Sequence, residues 1–198
     1  MSTNQSIDFF DKQFRNQPKE LALRLNPFEE MALPYLRGDV LDFGSGMGNL
    51  SFAAAKRGCK VLALDGSPSA IEHIQMRARN ACLNVSASLA DLRTYSVTGE
   101  YDCVVSIGLL MFFDCPTAFK VLAALQDRVR PGGVAVITVL IKGTTYLDMF
   151  DTSGYCLFDP AELERRFSGW TIEKLELGNF EAPQQTIKRF CTIIARRP

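Results

Sequence analysis

The sequence is notable first for what it lacks. Lys+Arg and Asp+Glu both number 22, leaving no net charge. A protein whose main partner is DNA or RNA usually carries a basic excess to displace phosphate counterions, so nucleic acid is not expected. There is no long hydrophobic run: the cleanest stretch, Val134 to Ile141, is interrupted by Thr138 and falls far short of the ~20 residues that span a bilayer. The opening MSTNQSIDFF lacks the basic-then-apolar design of a secretion signal, which points to a cytoplasmic protein with no membrane partner. None of the six cysteines, at 59, 82, 103, 115, 156 and 191, forms a C-x-x-C pair. Most sit in apolar runs, so they read as reduced core residues rather than metal ligands or disulfide partners. No repeat, low-complexity tract or Ser/Gly linker divides the 198 residues, which fit one domain.

What is present is a recurring unit. Short apolar runs fall at Asp39–Phe43, Lys60–Asp65, Val85–Leu89, Asp102–Ile107 and Gly133–Leu140. Several are apolar on successive residues, as strands are when helices cover both sheet faces. Between them Asn49–Arg57, Pro68–Ala81 and Pro116–Arg128 carry apolar residues at helical spacing, while Leu89–Tyr101 is short for a full helix. Ser67-Pro68, Asp159-Pro160 and Asn26-Pro27 each put a capping side chain before a first-turn proline. Glu162 and Glu29 follow the last two caps at capping-box spacing, and Gly58 suits the end of the first core helix. Strand–helix alternation of this kind predicts a doubly wound, mostly parallel α/β sheet.

The ends depart from that pattern. After a helix at Pro160–Phe167, two β-rich runs, Trp170–Leu177 and Thr186–Arg196, are joined only by the polar link Gly178–Gln185. That link is too short for a parallel crossover, so the last of seven strands should be antiparallel. Residues 1–37 place Ile7, Phe10 and Phe14 at helical spacing before a second helix from Pro27. They are expected to pack as a helical lid over a domain spanning 38–198.

The chemistry concentrates at strand ends. Val40-Leu41-Asp42-Phe43-Gly44-Ser45-Gly46-Met47-Gly48 is an apolar strand ending in an acid, then alternating glycines, then a helix. Such glycines permit a tight turn and close approach of a ligand to the backbone, although a ligand-free βα turn would use them too. Asp65 ends the second strand, where a carboxylate can accept from both hydroxyls of a ribose, and Ser67 already serves as the cap of the next helix. Asp91 follows the third strand, at the place for a purine amine or for an ordinary turn. Three acids after three successive strands make a nucleoside-binding edge. A dinucleotide site expects G-x-G-x-x-G, but position 49 is Asn, and an acid before the first glycine sits badly beside a pyrophosphate. It suits a ligand carrying an ammonium and a sulfonium, namely S-adenosylmethionine.

DFGSGMG, Asp65, SLADL at 88–92, YDCVVSIG at 101–108 and VRPGG at 129–133 resemble the ordered motifs of the class I S-adenosylmethionine-dependent methyltransferases. The resemblance covers roughly residues 38–196 and implies their Rossmann-like sheet. LLMFF after the fourth strand, FDPAELERRFSGW and the closing KRFCTIIARR are similar to the tellurite-resistance methyltransferases. Those enzymes commonly carry His and Arg in the loop before the last strand, which here reads NFEAPQQT, leaving Arg189 as the counterpart. The resemblance implies that Gly44, Ser45 and Gly46 lie against the methionine part, with Asp42 and the carbonyl of Ile107 attracting its ammonium. It implies further that Asp65 holds the ribose, that Gly66 and Ser67 flank the adenine, and that Asp91 and Leu92 meet its amine and its face.

Methyl transfer from a sulfonium is an in-line displacement whose chief requirement is alignment in a dry site. The sequence offers almost no general base, since the single histidine, His73, falls inside a helix as an exposed or structural residue. Arg189, on the face of the last strand shared by Ile187 and Cys191, is either a cation that orients an oxyanion or a solvated or paired strand residue. Met111, Phe112 and Phe113 either wall the acceptor pocket or belong to the core. The expectation is a metal-free enzyme, monomer or homodimer, that methylates a small molecule such as tellurite or selenite. The alternatives are methylation of a thiol, amine or carboxylate, a dinucleotide-dependent oxidoreductase, and a nucleoside-binding module without catalysis.

Overall fold

The computed structural model describes residues 5–16, 24–150 and 154–198. Of the expected lid, residues 1–4 and 17–23 lie outside this range. Helices α1 (Gln5–Asn16) and α2 (Pro27–Ala32) precede an alternating core of β1 (Asp39–Phe43), α3 (Asn49–Lys56), β2 (Lys60–Asp65), α4 (Pro68–Asn80), β3 (Val85–Leu89), β4 (Tyr101–Ile107), α5 (Cys115–Asp127) and β5 (Val129–Leu140). The chain closes with α6 (Pro160–Arg165), β6 (Thr171–Ala182) and β7 (Thr186–Arg196). The seven strands form one sheet in the order β3-β2-β1-β4-β5-β7-β6. β1 to β5 are parallel, and β7 runs antiparallel to both its neighbours. This is the mostly parallel α/β sheet with an antiparallel last strand that the sequence predicts.

Continuous apolar strands are explained by burial on both faces. Val40, Val61, Cys103, Val105, Val134, Val136 and Ile194 pack with Ala32, Leu50 and Ala54 from α2 and α3. The alternate residues Leu41, Phe43, Leu64, Val104, Ile137 and Ile193 pack with Leu122 of α5 and Leu163 of α6. Each such side chain contributes about 1.5–3 kcal/mol of burial. β1 pairs with β2 on one side and β4 on the other, so strand order reverses between β1 and β4. A crevice opens at the C-terminal ends of strands at such a reversal.

Four local features differ from expectation. β5 begins at Val129, and Pro131-Gly132-Gly133 forms a bulge within it, because Tyr101 pairs with Val129 while Cys103 pairs with Val134. Gly133 is required there, since a Cβ would lie 2.8 Å from the carbonyl of Asp102. β6 runs through the segment read as a polar link, and only Pro183–Gln185 turns. The length of β7 supplies a backbone partner for each residue from Gly178 to Ala182, which outweighs polar composition. The box at Asp159 is half formed: Asp159 accepts from the Ala161 amide, but Glu162 pairs with Arg165 and Arg166 instead. Finally, Cys115 and Cys156 are joined by a disulfide rather than reduced. The amide of Cys156 donates to the carbonyl of Met111 at 3.0 Å, which brings the two Cα atoms within 4.7 Å, inside bridging range.

Candidate active site

The C-terminal ends of β1, β2, β3 and β4 border a cavity of about 540 Å³, within the range of small-molecule and cofactor sites. Asp42, Gly44, Ser45, Gly46, Asp65, Gly66, Ser67, Asp91, Leu92 and Ile107 all line it. Residues 65 positions apart in the chain thus share one wall because their strands are neighbours in the sheet.

The glycine loop is clamped to β2. The amides of Gly44 and Ser45 both donate to the carbonyl of Leu64, at 2.8 and 3.0 Å. Gly44 has φ +87, and a Cβ there would stand 2.9 Å from Leu109, so both backbone and space demand glycine. Asp65 fixes the loop from the other side: Oδ2 accepts from the Gly46 amide at 2.8 Å and Oδ1 from the Ser67 amide at 2.9 Å. Ser67 in turn caps α4 by accepting from the Ala70 amide. The hydroxyl of Ser45 is buried without a hydrogen-bond partner among the described residues.

The electrostatics of the cavity are set by carboxylates. Asp42 is buried, and burial is the main reason its carboxyl is pushed up to about 7; a hydrogen bond from Ser51 opposes this, while Glu29 and Asp65 add to it. Burial likewise raises Asp65, against the amide donors that hold it. Glu29 of α2 also lines the cavity and is raised by burial. It forms the expected capping box, with Oε2 accepting from the Asn26 amide at 2.7 Å. Asp91 behaves differently: it is exposed, and Arg93 forks onto it with Nε and Nη2 at 3.1 and 3.2 Å. The Arg93 hydrogen bond is the leading cause of its lowered pKa.

Several lining residues had no signal in the sequence as site residues. Glu29 read only as a cap, and Arg24, Asn49 and Arg93 carried no motif. Ile7, Phe10 and Phe14 of α1 also line the cavity, and Phe10 meets Phe112 edge-on at 5.1 Å. Of the three residues after β4 considered for the acceptor wall, Phe112 and Phe113 line the cavity. Met111 packs instead with Leu140 and Phe150. Neither His73 nor Arg189 is among the lining residues. His73 lies within α4, and burial, then Arg77, lowers its pKa. Arg189 donates from Nε to Asn179 Oδ1 at 3.3 Å and from Nη1 to the carbonyl of Lys142 at 3.4 Å.

Comparison with known proteins agrees with this geometry. Residues 40–133 match the family model described as a methyltransferase domain. The chain is 26% identical over 164 residues to the probable S-adenosyl-L-methionine-dependent methyltransferase TehB of Haemophilus influenzae, covering 80% of this chain and 57% of that protein. The chain spans about half the length of the curated relatives it matches. Among solved structures, TehB from Haemophilus influenzae superposes with a TM-score of 0.76 at 19% identity, over 98% of this chain and 67% of that one. The N-methyltransferase NodS from Bradyrhizobium japonicum WM9, solved with S-adenosyl-L-homocysteine, gives a TM-score of 0.73 at 15% identity, over 98% and 100% of the two chains. With its glycine loop, strand-end acids, sheet order and these likenesses, the chain carries a methyltransferase domain over residues 40–133 and is similar to the class I S-adenosylmethionine-dependent methyltransferases.

Proposed function

We propose that this protein transfers the methyl group of S-adenosylmethionine to a small-molecule acceptor. The observation that carries this reading is that one cavity gathers Asp42, Asp65 and Glu29 around the glycine loop, an acidic surround suited to a cationic nucleoside. The bound cofactor supplies a methyl group on a sulfonium, open to in-line displacement. On this reading Asp65 accepts from the ribose hydroxyls, Asp42 and the Ile107 carbonyl draw the ammonium, and Gly44, Ser45 and Gly46 line the methionine part. Gly66 and Ser67 flank the adenine, Leu92 covers its face, and Asp91 takes its amine while keeping Arg93. Each hydrogen bond to a charged partner contributes about 1.5–3 kcal/mol. Within the expected lid, α1 and α2 serve as a helical cover to the domain at 38–198, with Phe10 and Phe14 excluding water.

For the acceptor, the lining favours a nucleophile that arrives uncharged, such as a neutral amine that brings its own lone pair and gives up its proton to water after transfer. An anion would meet Asp42 and Glu29, and Arg93 is already committed to Asp91. A chalcogen oxyanion such as tellurite or selenite is the second reading. It rests on the likeness to TehB and on Arg24, a lining cation with no ion pair among the described residues. The catalytic role expected of Arg189 has no support from its position, where it braces the turn after β5. On this reading the cavity's carboxylates serve the cofactor and His73 lies off the lining, which supports alignment and water exclusion as the means of catalysis.

Thermal-shift titration with S-adenosylhomocysteine and with NADH tests the cofactor. Stabilisation by NADH alone would sink the reading. Release of S-adenosylhomocysteine is then followed with primary amines, thiols, selenite and tellurite in parallel. Turnover confined to the two oxyanions would overturn the preference for an uncharged acceptor.

A further inference from the structure

We propose that Asp11 is a positioning residue of the cofactor site: it holds α1 against the start of α4 and so sets how long S-adenosylmethionine and its demethylated product stay bound. The inference rests on the cofactor reading above. Asp11 is not itself on the cavity lining, yet it is buried, at 8% exposure. Its Oδ1 accepts the Ser67 hydroxyl at 2.6 Å, the Ser69 amide at 3.1 Å and the Ser69 hydroxyl. Its Oδ2 pairs with Arg15 one turn later, at 2.6 Å. These donors sit in the first turn of α4, where the helix dipole also favours an anion. Burial alone would raise the Asp11 carboxyl, but the serine donors and Arg15 prevail and hold it down at about 2.

The consequence follows from what else α1 carries. An isolated helix of 12 residues is marginal in water, so its position depends on its attachments. A Cβ on Gly66 would lie 3.1 Å from Ile7 Cδ1, and one on Gly46 would lie 3.4 Å from Phe14 Cζ. Ile7 and Phe14 therefore lie over two of the backbone positions that face the cofactor. Ser67 links the two sides, giving its hydroxyl proton to Asp11 and its amide proton to Asp65. A nucleoside held between Gly46 and Gly66 leaves only when Ile7 and Phe14 lift, and they lift only when the Asp11 contacts break. Asp11 acts on residence time through α1, without touching the ligand.

The experiment measures dissociation of S-adenosylhomocysteine by stopped-flow displacement from the full chain, with hydrogen exchange over residues 7–14 of the ligand-free protein. Asp11→Ala should raise the dissociation rate about tenfold or more, and Ser69→Ala, which keeps the carboxylate, about threefold. Exchange over 7–14 should accelerate in Asp11→Ala while amides of β4 and β5 keep their wild-type rates. A merely structural contribution would move all amides together. Should Asp11→Ala fail to fold, Ser69→Ala decides by itself. Wild-type dissociation and exchange rates in a folded variant would overturn the inference. If wild type binds no S-adenosylhomocysteine, the cofactor reading falls and this inference falls with it. If wild type binds it and the variants release it at the same rate, only this inference falls.

Discussion

Ser51, in the first turn of α3, donates its hydroxyl to Oδ2 of Asp42 at 2.6 Å, and both residues are buried. This single bond ties the acid at the end of β1 to the helix that follows the glycine loop. Among the described residues it is also the one side-chain donor that opposes the burial of Asp42. The carboxyl is left near about 7, within reach of ordinary assay conditions.

A pH dependence follows. The ligand's ammonium prefers the ionised carboxylate, so affinity for S-adenosylhomocysteine should rise by about five- to tenfold between pH 6 and 7.5. Because the folded-state pKa lies above the unfolded value, Asp42 favours the folded state fully only below about pH 4, and that contribution is lost as pH rises through about 7. The ligand-free protein should therefore melt lower at pH 8 than at pH 6, and Asp42→Asn should flatten both trends. Calorimetry and melting curves across this range check it. An affinity in wild type that does not vary with pH would contradict the assignment.

Asp65→Ala should lower S-adenosylhomocysteine affinity by about tenfold or more. The change removes the proposed acceptor for the ribose and frees the amides of Gly46 and Ser67 that the carboxylate now holds. Titration calorimetry on a variant whose circular dichroism matches wild type is the measurement. Undiminished binding would remove Asp65 from the site.

Arg189→Lys should leave turnover within about threefold of wild type, because the guanidinium serves Asn179 and the Lys142 carbonyl rather than the cavity. Steady-state rates on any accepted substrate decide the matter. A loss of turnover with unchanged cofactor binding would restore Arg189 to the acceptor site.

Reduction of Cys115–Cys156 should cost roughly 2–4 kcal/mol of stability, by loop closure in the unfolded chain. The bridge spans 41 residues and joins the start of α5 to the segment that follows β5. Denaturant melts with and without dithiothreitol, beside Cys115→Ser, measure the effect. The variant should match the reduced wild type and ignore the reductant. Equal stability of oxidised and reduced protein would show that the bridge does not brace the fold.

The sequence by itself determined the parallel core and the edge that lines the cavity. β1, β2, β3 and β7 have the bounds read from apolar runs and their punctuation, because burial on both faces writes itself as continuous hydrophobicity. The strand-end acids Asp42 and Asp65 were legible for a related reason: a βα turn fixes where the residue at the end of a strand points. Interactions between distant segments left no such mark. Glu29 looked like a cap until α2 packed beside α3, and Asp11 carried no motif because its serine partners lie 56 and 58 positions away. Arg189 showed the converse, since alternation along β7 named its face but not what stands opposite it. Cys115 and Cys156 read as small hydrophobes, each in its own apolar context. Only the tertiary structure decided these points, because local spacing encodes secondary structure whereas which side chains meet depends on how the elements dock.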